Sequence, residues 1–287
     1  MTQATGATMT QATPGRRELV VGGTAGLALG ALGLAAAPAQ AAGIDTAAGL
    51  TAALDRYMAT RSGVAGLAVR DNRNGRYFYW RPRTQQSHST IKVLILVATL
   101  KVAQDRGVGL TSTQRSLASR MIRYSDNDAT NTLMTRVGAR TCQRVAGQLG
   151  MTRTTVLGGT VFRSASWWGH STTTTRDLVR LMNSLVIGTY LSPGRRAYVR
   201  ELMASVTSTQ DWGLGDGLPD DVHVELKNGW GPRSDGYRLN CVGHVSGRGR
   251  NYQMSILSRS YNGYSYGQTT VNRLSRIVFD ALDVPLR

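Results

Sequence analysis

Ser89 and Lys92 stand three residues apart, just ahead of the apolar run Val93-Leu94-Ile95-Leu96-Val97. In a helix that spacing puts a hydroxyl and an ammonium on one face. A serine at a helix N-terminus sits among free backbone N–H groups and the positive end of the helix dipole. The same groups stabilise an oxyanion. A lysine packed against apolar neighbours loses hydration, its pKa falls, and it accepts a serine proton. The pair therefore reads as a nucleophile and its base. Taken alone, the spacing also fits a serine that merely caps a helix.

Two further clusters carry matching chemistry. Ser125-Asp126-Asn127 offers a second hydroxyl that would relay a proton to a leaving group, with Asn127 holding Lys92 or a substrate amide. Its plainer reading is a polar turn with Asp126 or Asn127 capping the next helix. Lys227-Asn228-Gly229 follows the strand-like run Val222 to Leu226. There Lys227 would face a substrate carboxylate, and Gly229 would let a ligand approach the backbone. The plainer reading is a strand end and a turn, with Glu225 pairing Lys227. Trp230 would narrow the site or form a stacking wall, and Arg233 or Arg238 would assist with a carboxylate. Lys92, Lys101 and Lys227 are the only lysines in the chain, and two of them fall where this chemistry needs them.

The three clusters, in this order and spacing, resemble the motif set of class A β-lactamases and penicillin-binding proteins, the third only in part. Thr172 to Thr175 before a helix and Gly217-Leu218-Pro219 before the third cluster extend the resemblance. Lys227 to Trp230, with Asn240 to Gly243 downstream, resembles secreted actinobacterial serine hydrolases. The resemblance implies Ser89 as nucleophile and Lys92 as general base. It implies Ser125 and Asn127 as relay and binding pair, and Lys227 as anion anchor. Substrates would be a β-lactam, a wall peptide ending in D-amino acids, or a small ester. A D-alanyl-D-alanine peptidase or slow penicillin-binding protein is the nearest alternative, and a non-catalytic wall-binding module the next.

The chain also departs from that family. Class A enzymes activate the deacylating water with a glutamate on a loop after the second motif. Here no Asp or Glu occurs between Ala129 and Arg176. Three routes remain: slow release of the acyl group, water positioned by His170, or a carboxylated Lys92 acting as both bases. Asn228 also stands where the third motif usually has a threonine or serine.

These residues need a scaffold. Ile44 to Ala59 has helical spacing, Val64 to Val69 and Tyr77 to Trp80 read as a hairpin, and Thr90 to Val102 reads as a helix buried all round. Signals from Thr111 to Met203 are helical, with breaks near Gly158-Gly159 and Trp167 to Gly169. Strands return at Val222 to Leu226, Leu239 to Val245 and Tyr252 to Leu257, before a last helix over Thr269 to Leu282. The expected fold is α/β plus all-α: an antiparallel sheet flanked by terminal helices, built from 42–88 and 205–287, with a helical insertion at 89–204. This is the β-lactamase/transpeptidase-like arrangement.

The first 41 residues read as an address. Arg16-Arg17, an apolar Gly/Ala-rich stretch and Ala39-Gln40-Ala41 resemble a twin-arginine signal peptide with its cleavage site. The expectation is an exported monomer without a membrane anchor after cleavage. The net charge of +17 is carried almost wholly by arginine. The arginines are scattered and no recognition motif accompanies them, so nucleic acid is not an expected partner. Cys142 and Cys241 either pair after export or stay as buried thiols. They lack the histidine spacing of a zinc site, and neither a metal nor an organic cofactor is expected.

Overall fold

The computed structural model describes residues 46–159 and 165–287. The expected signal peptide lies outside the described residues.

Helix α1 (Ala47–Ala59) begins where the Thr46 hydroxyl accepts the Gly49 N–H at 3.0 Å. Its face of Leu50, Leu54 and Met58 is buried. Strands β1 (Gly63–Asp71) and β2 (Tyr77–Trp80) form the expected hairpin. A short strand β3 (Thr84–Gln86) leads into a 3-10 turn, His88–Thr90, that runs directly into α2 (Ile91–Asp105). Helices α3 (Ser112–Arg123), α4 (Asn127–Val137) and α5 (Ala139–Gln148) follow, then a 3-10 turn at Trp167–His170 and β4 (Thr172–Thr174). After α6 (Thr175–Val186) and α7 (Pro193–Ala204), strands β5 (His223–Arg233), β6 (Gly236–Gly247) and β7 (Arg250–Ser260) return to the sheet. Helix α8 (Gly263–Ala281) completes the described fold.

The main sheet is antiparallel, in the order β2-β1-β7-β6-β5. Its register sets Leu67 opposite Ile256 and Gly229 opposite Asn240. One core joins α1 and α8 to the sheet through Leu54, Leu67, Ile256, Leu274 and Val278. A second core surrounds α2 with side chains of α3 to α7, including Met121, Leu133, Val145 and Leu181. Ile91 to Ala98 are all within 1% of full burial, so α2 is wrapped on every side. Cys142 and Cys241 are free and buried in different cores. Among the described residues no helix is long and apolar enough to cross a membrane.

Three expectations need correction. Lys227-Asn228-Gly229 does not close a strand, because β5 continues to Arg233. Gly229, Gly231 and Pro232 look like breakers, yet an edge strand tolerates proline and the glycines serve close contacts described below. Arg233 and Arg238 accordingly lie within β5 and β6 rather than after the strand. The last helix starts six residues early, at Gly263 rather than Thr269, with Gly267 pressed so close to Leu239 and Ser260 that a Cβ would clash. The two-stranded sheet of β3 and β4 had no periodic signature and was not foreseen.

Glu225 pairs with Arg200 and the histidines His223 and His244, not with Lys227. Arg200 donates to both carboxylate oxygens at 2.7–3.0 Å, and Glu225 is nearly fully buried. Hydrogen bonds and charge from His244 and Arg200 outweigh burial and hold its pKa at about 2. Removing Arg200 strands a buried carboxylate. Arg200→Ala is expected to cost about 2 kcal/mol and lower Tm by about 6 °C, read by thermal denaturation.

Candidate active site

Ser89 lies in the 3-10 turn at the head of α2 and Lys92 in the first turn of α2 itself, so the two share a face of one continuous helical segment. The Lys92 side chain is fully buried. Its Nζ donates to the Ser125 carbonyl at 2.6 Å, the Ser125 hydroxyl at 3.1 Å and Asn127 Oδ1 at 2.9 Å. The Trp168 ring covers it, with Nζ 4.6 Å from the centroid. Burial, reinforced by the Lys227 charge, pushes the Lys92 amine down to about 6. At neutral pH it is mostly free amine. Two N–H groups and one lone pair then face three oxygens, and the Ser125 hydroxyl can donate back to Nζ. Lys92 and Ser125 are thus wired to exchange a proton.

The backbone at Ser125 makes this possible. Its φ of 56° is in the left-handed region, which turns carbonyl and hydroxyl toward the same amine. Such a conformation costs about 1 kcal/mol or more in a non-glycine residue. Asp126 then caps α4 by accepting the Ala129 N–H at 2.9 Å, and Arg120 Nε donates to its other oxygen at 2.7 Å. The capping role and the chemical role of this cluster are therefore shared out: Asp126 caps, while Ser125 and Asn127 face Lys92.

Lys227 is fully buried, donates to the Asn228 carbonyl at 3.1 Å, and is pushed by burial down to about 7. Two residues on, a Cβ at Gly229 would lie 2.6 Å from the Ser89 backbone nitrogen and 2.8 Å from Ser87 O and Thr90 N. Only glycine lets β5 run this close to the Ser89 turn. β5 is also an edge strand, so its outer backbone groups have no sheet partner. Gly229→Ala must push the strand and the turn apart. If Ser89 is the nucleophile that the sequence leads one to expect, its acylation by a β-lactam slows about a hundredfold, measured as a second-order rate constant.

Strand alternation decides where the neighbours point. Gly229 and Gly231 face Ser89 and His88, so Asn228 and Trp230 face away. Asn228 Nδ2 donates to the Gln210 carbonyl at 2.6 Å. Trp230 packs on Trp212 and Tyr264, both at 5.9 Å between ring centroids. Its ring packs into the core beside α8 rather than toward Ser89, and the stacking-wall expectation is corrected. Arg238 is nearly buried and its Nη2 is spent on Asp235 at 2.9 and 3.0 Å.

His170 Nδ1 lies 2.6 Å from Arg233 Nη2. A guanidinium only donates, so Nδ1 accepts and the ring proton sits on Nε2. In that state the imidazole has no free lone pair for a water proton; it ties the Trp167–His170 turn to the end of β5. Burial and Arg233 lower its pKa. Carboxylation of Lys92 meets a different obstacle. The new carboxylate would face the Ser125 carbonyl and Asn127 Oδ1, which are acceptors. The first acid beyond Arg176, Asp177, is buried and accepts from Arg153 N, Thr154 Oγ1 and Arg180 Nη1.

Several positioning residues escaped the sequence reading. His88 has φ 47°, packs its ring against Gly231, and is held by burial and nearby Arg233 at a pKa of about 3, hence neutral. Asn240 Nδ2 donates to the Gln86 and Ser87 carbonyls at 2.8 and 3.0 Å, fixing the chain just before Ser89. Trp168 is steadied by its Nε1 donating to Asn131 Oδ1 at 2.8 Å. A polar residue inside the apolar strand Leu239 to Val242 was the one available hint for Asn240. Among the described residues no group of three or more His, Cys, Asp or Glu is placed to hold a metal ion.

A profile of the beta-lactamase enzyme family matches residues 101–282, which includes Ser125 and Lys227 but begins after Ser89 and Lys92. No curated protein matches the chain. Solved structures do. The TLA-1 extended-spectrum beta-lactamase superposes with a TM-score of 0.74 at 15% identity, over 83% of this chain and 99% of its own. A class A beta-lactamase from Bacteroides cellulosilyticus gives 0.71 at 18% identity, over 81% and 96%. A class A beta-lactamase from Mycobacterium abscessus gives 0.69 at 20% identity, over 82% and 99%.

Proposed function

Because this chain belongs to the beta-lactamase enzyme family, we propose that it is a serine hydrolase that forms an acyl-enzyme on Ser89 with β-lactams and related amides or esters. The observation that carries the reading is the buried Lys92 amine, held by Ser125 and Asn127 and brought down to about 6. Neutral Lys92 takes the Ser89 proton as Oγ attacks the carbonyl carbon. The proton passes through Ser125 to the leaving nitrogen, and the C–N bond breaks. The Ser89 backbone N–H steadies the oxyanion. Lys227 attracts a substrate carboxylate while it is charged. The leader-like N-terminus supports action outside the cytoplasm.

A second reading, a slow penicillin-binding protein or D-alanyl peptidase, is favoured by one observation. No carboxylate between Ala129 and Arg176 can activate the deacylating water. We therefore infer fast acylation and slow release. Incubation with benzylpenicillin, followed by intact mass and by drug loss, separates the readings. An adduct lasting minutes supports slow release. Rapid drug loss without an adduct shows an efficient β-lactamase. Neither adduct nor loss, at high drug concentration, removes both.

A further inference from the structure

Away from Ser89, two clefts meet at Arg176. The first, of about 350 Å3, lies between the β3–β4 sheet, the turn carrying Arg153 and the first turns of α6 with Arg176 and Arg180. Its one acid, Asp177, is already satisfied on both oxygens. Arg180 gives one nitrogen to it. Arg153 and Arg176 make no ion pair among the described residues.

The second cleft is wider and shallower, between α1 and the outer face of β2. Tyr77 and Tyr79 stand out there, 43% and 38% exposed, with their rings stacked at 5.8 Å and 18°. Arg176 lies 4.1 Å over Tyr79 and Arg70 5.6 Å over Tyr77. The acid of this cleft, Asp55, is taken by Trp80 Nε1 and Arg81, each at 2.9 Å. A continuous strip results: Arg70, Tyr77, Tyr79, Arg176, Arg153. Arg70 and Arg176 are held over aromatic rings rather than neutralised by an acid.

We propose that this strip binds an anionic glycan, with a carboxylate or phosphate group seated between Arg153 and Arg176 and sugar hydroxyls bonded along the exposed phenol edges of Tyr79 and Tyr77. Uncompensated guanidinium forks match such anions bidentately. The tyrosines are stacked on each other and overlaid by arginines, so open ring faces for nucleobases, which single-stranded nucleic acid needs, are not offered. What remains is phenol and guanidinium donors, suited to an oxygen-rich polymer. The proposal stands apart from the acyl-enzyme reading.

The full mature chain is titrated with a galacturonate oligosaccharide, a neutral galactan oligomer of equal length, inorganic phosphate and single-stranded DNA. The charged glycan is expected to bind, with affinity falling in high salt. The Arg153→Ala, Arg176→Gln double variant is expected to lose about tenfold in that affinity, with β-lactam acylation unchanged. If the double variant does not fold, Tyr77→Ser, on an exposed side chain, is expected to weaken glycan binding and not phosphate binding. Equal binding of the neutral oligomer, displacement by phosphate at equal concentration, tighter binding of DNA, or unchanged affinity in the variants overturns the proposal.

Discussion

Lys92→Met is expected to slow acylation of Ser89 about a thousandfold, the middle of the range a general base contributes. Methionine keeps the apolar length of the side chain under Trp168 but removes the proton acceptor. The Ser125 carbonyl and Asn127 Oδ1 lose their donor. That costs stability, offset by relief from burying an amine whose protonated form is strongly disfavoured. Folding should survive, checked by circular dichroism. Because Lys227 is untouched, non-covalent affinity for a carboxylate-bearing β-lactam should barely move. A structural role for Lys92 would instead lower affinity and Tm together, leaving little effect specific to the chemical step.

The second large effect is expected at Ser89 itself. Ser89→Ala is expected to abolish the covalent adduct and to lower any turnover about a millionfold, as removal of a catalytic serine does elsewhere. Ser89 is only partly buried and belongs to neither apolar core, so the variant should fold as the parent does. Peptide mapping after penicillin treatment reads the outcome. An adduct that persists in the variant would move the nucleophile to another residue, with Ser125 the nearest hydroxyl to Lys92.

Ser89 and Lys92 were readable because two local signals coincide there: a three-residue spacing and an unbroken apolar run that had to be buried. The same run fixed α2 as the central helix. Ser125 and Asn127 were readable as polar residues at a turn, but their convergence on one amine depends on a left-handed backbone at Ser125 that no spacing encodes. Lys227 was singled out while its strand was misjudged. Gly229, Gly231 and Pro232 carry the local marks of a turn, and only the approach of the Ser89 turn explains why β5 keeps them. The same misjudgement hid the parity that turns Trp230 away toward Tyr264. His88, Trp168 and Asn240 act across long sequence separations, where residue patterns carry no contact information. The missing loop carboxylate was visible at once, because an absence of Asp and Glu over a whole segment needs no structure to establish.

The central claim is that an unprotonated, buried Lys92 activates Ser89. Its most direct test is the pH dependence of the second-order acylation rate constant, which reports groups of the free enzyme. Lys92 must be neutral to act, so the rate should rise with pH through about 6. Lys227 must be charged to hold a carboxylate, so the rate should fall above about 7. The predicted profile is a narrow bell whose rising limb disappears in Lys92→Met. A rate that keeps climbing to pH 9 or beyond, as an ordinary solvated lysine would give, contradicts the account.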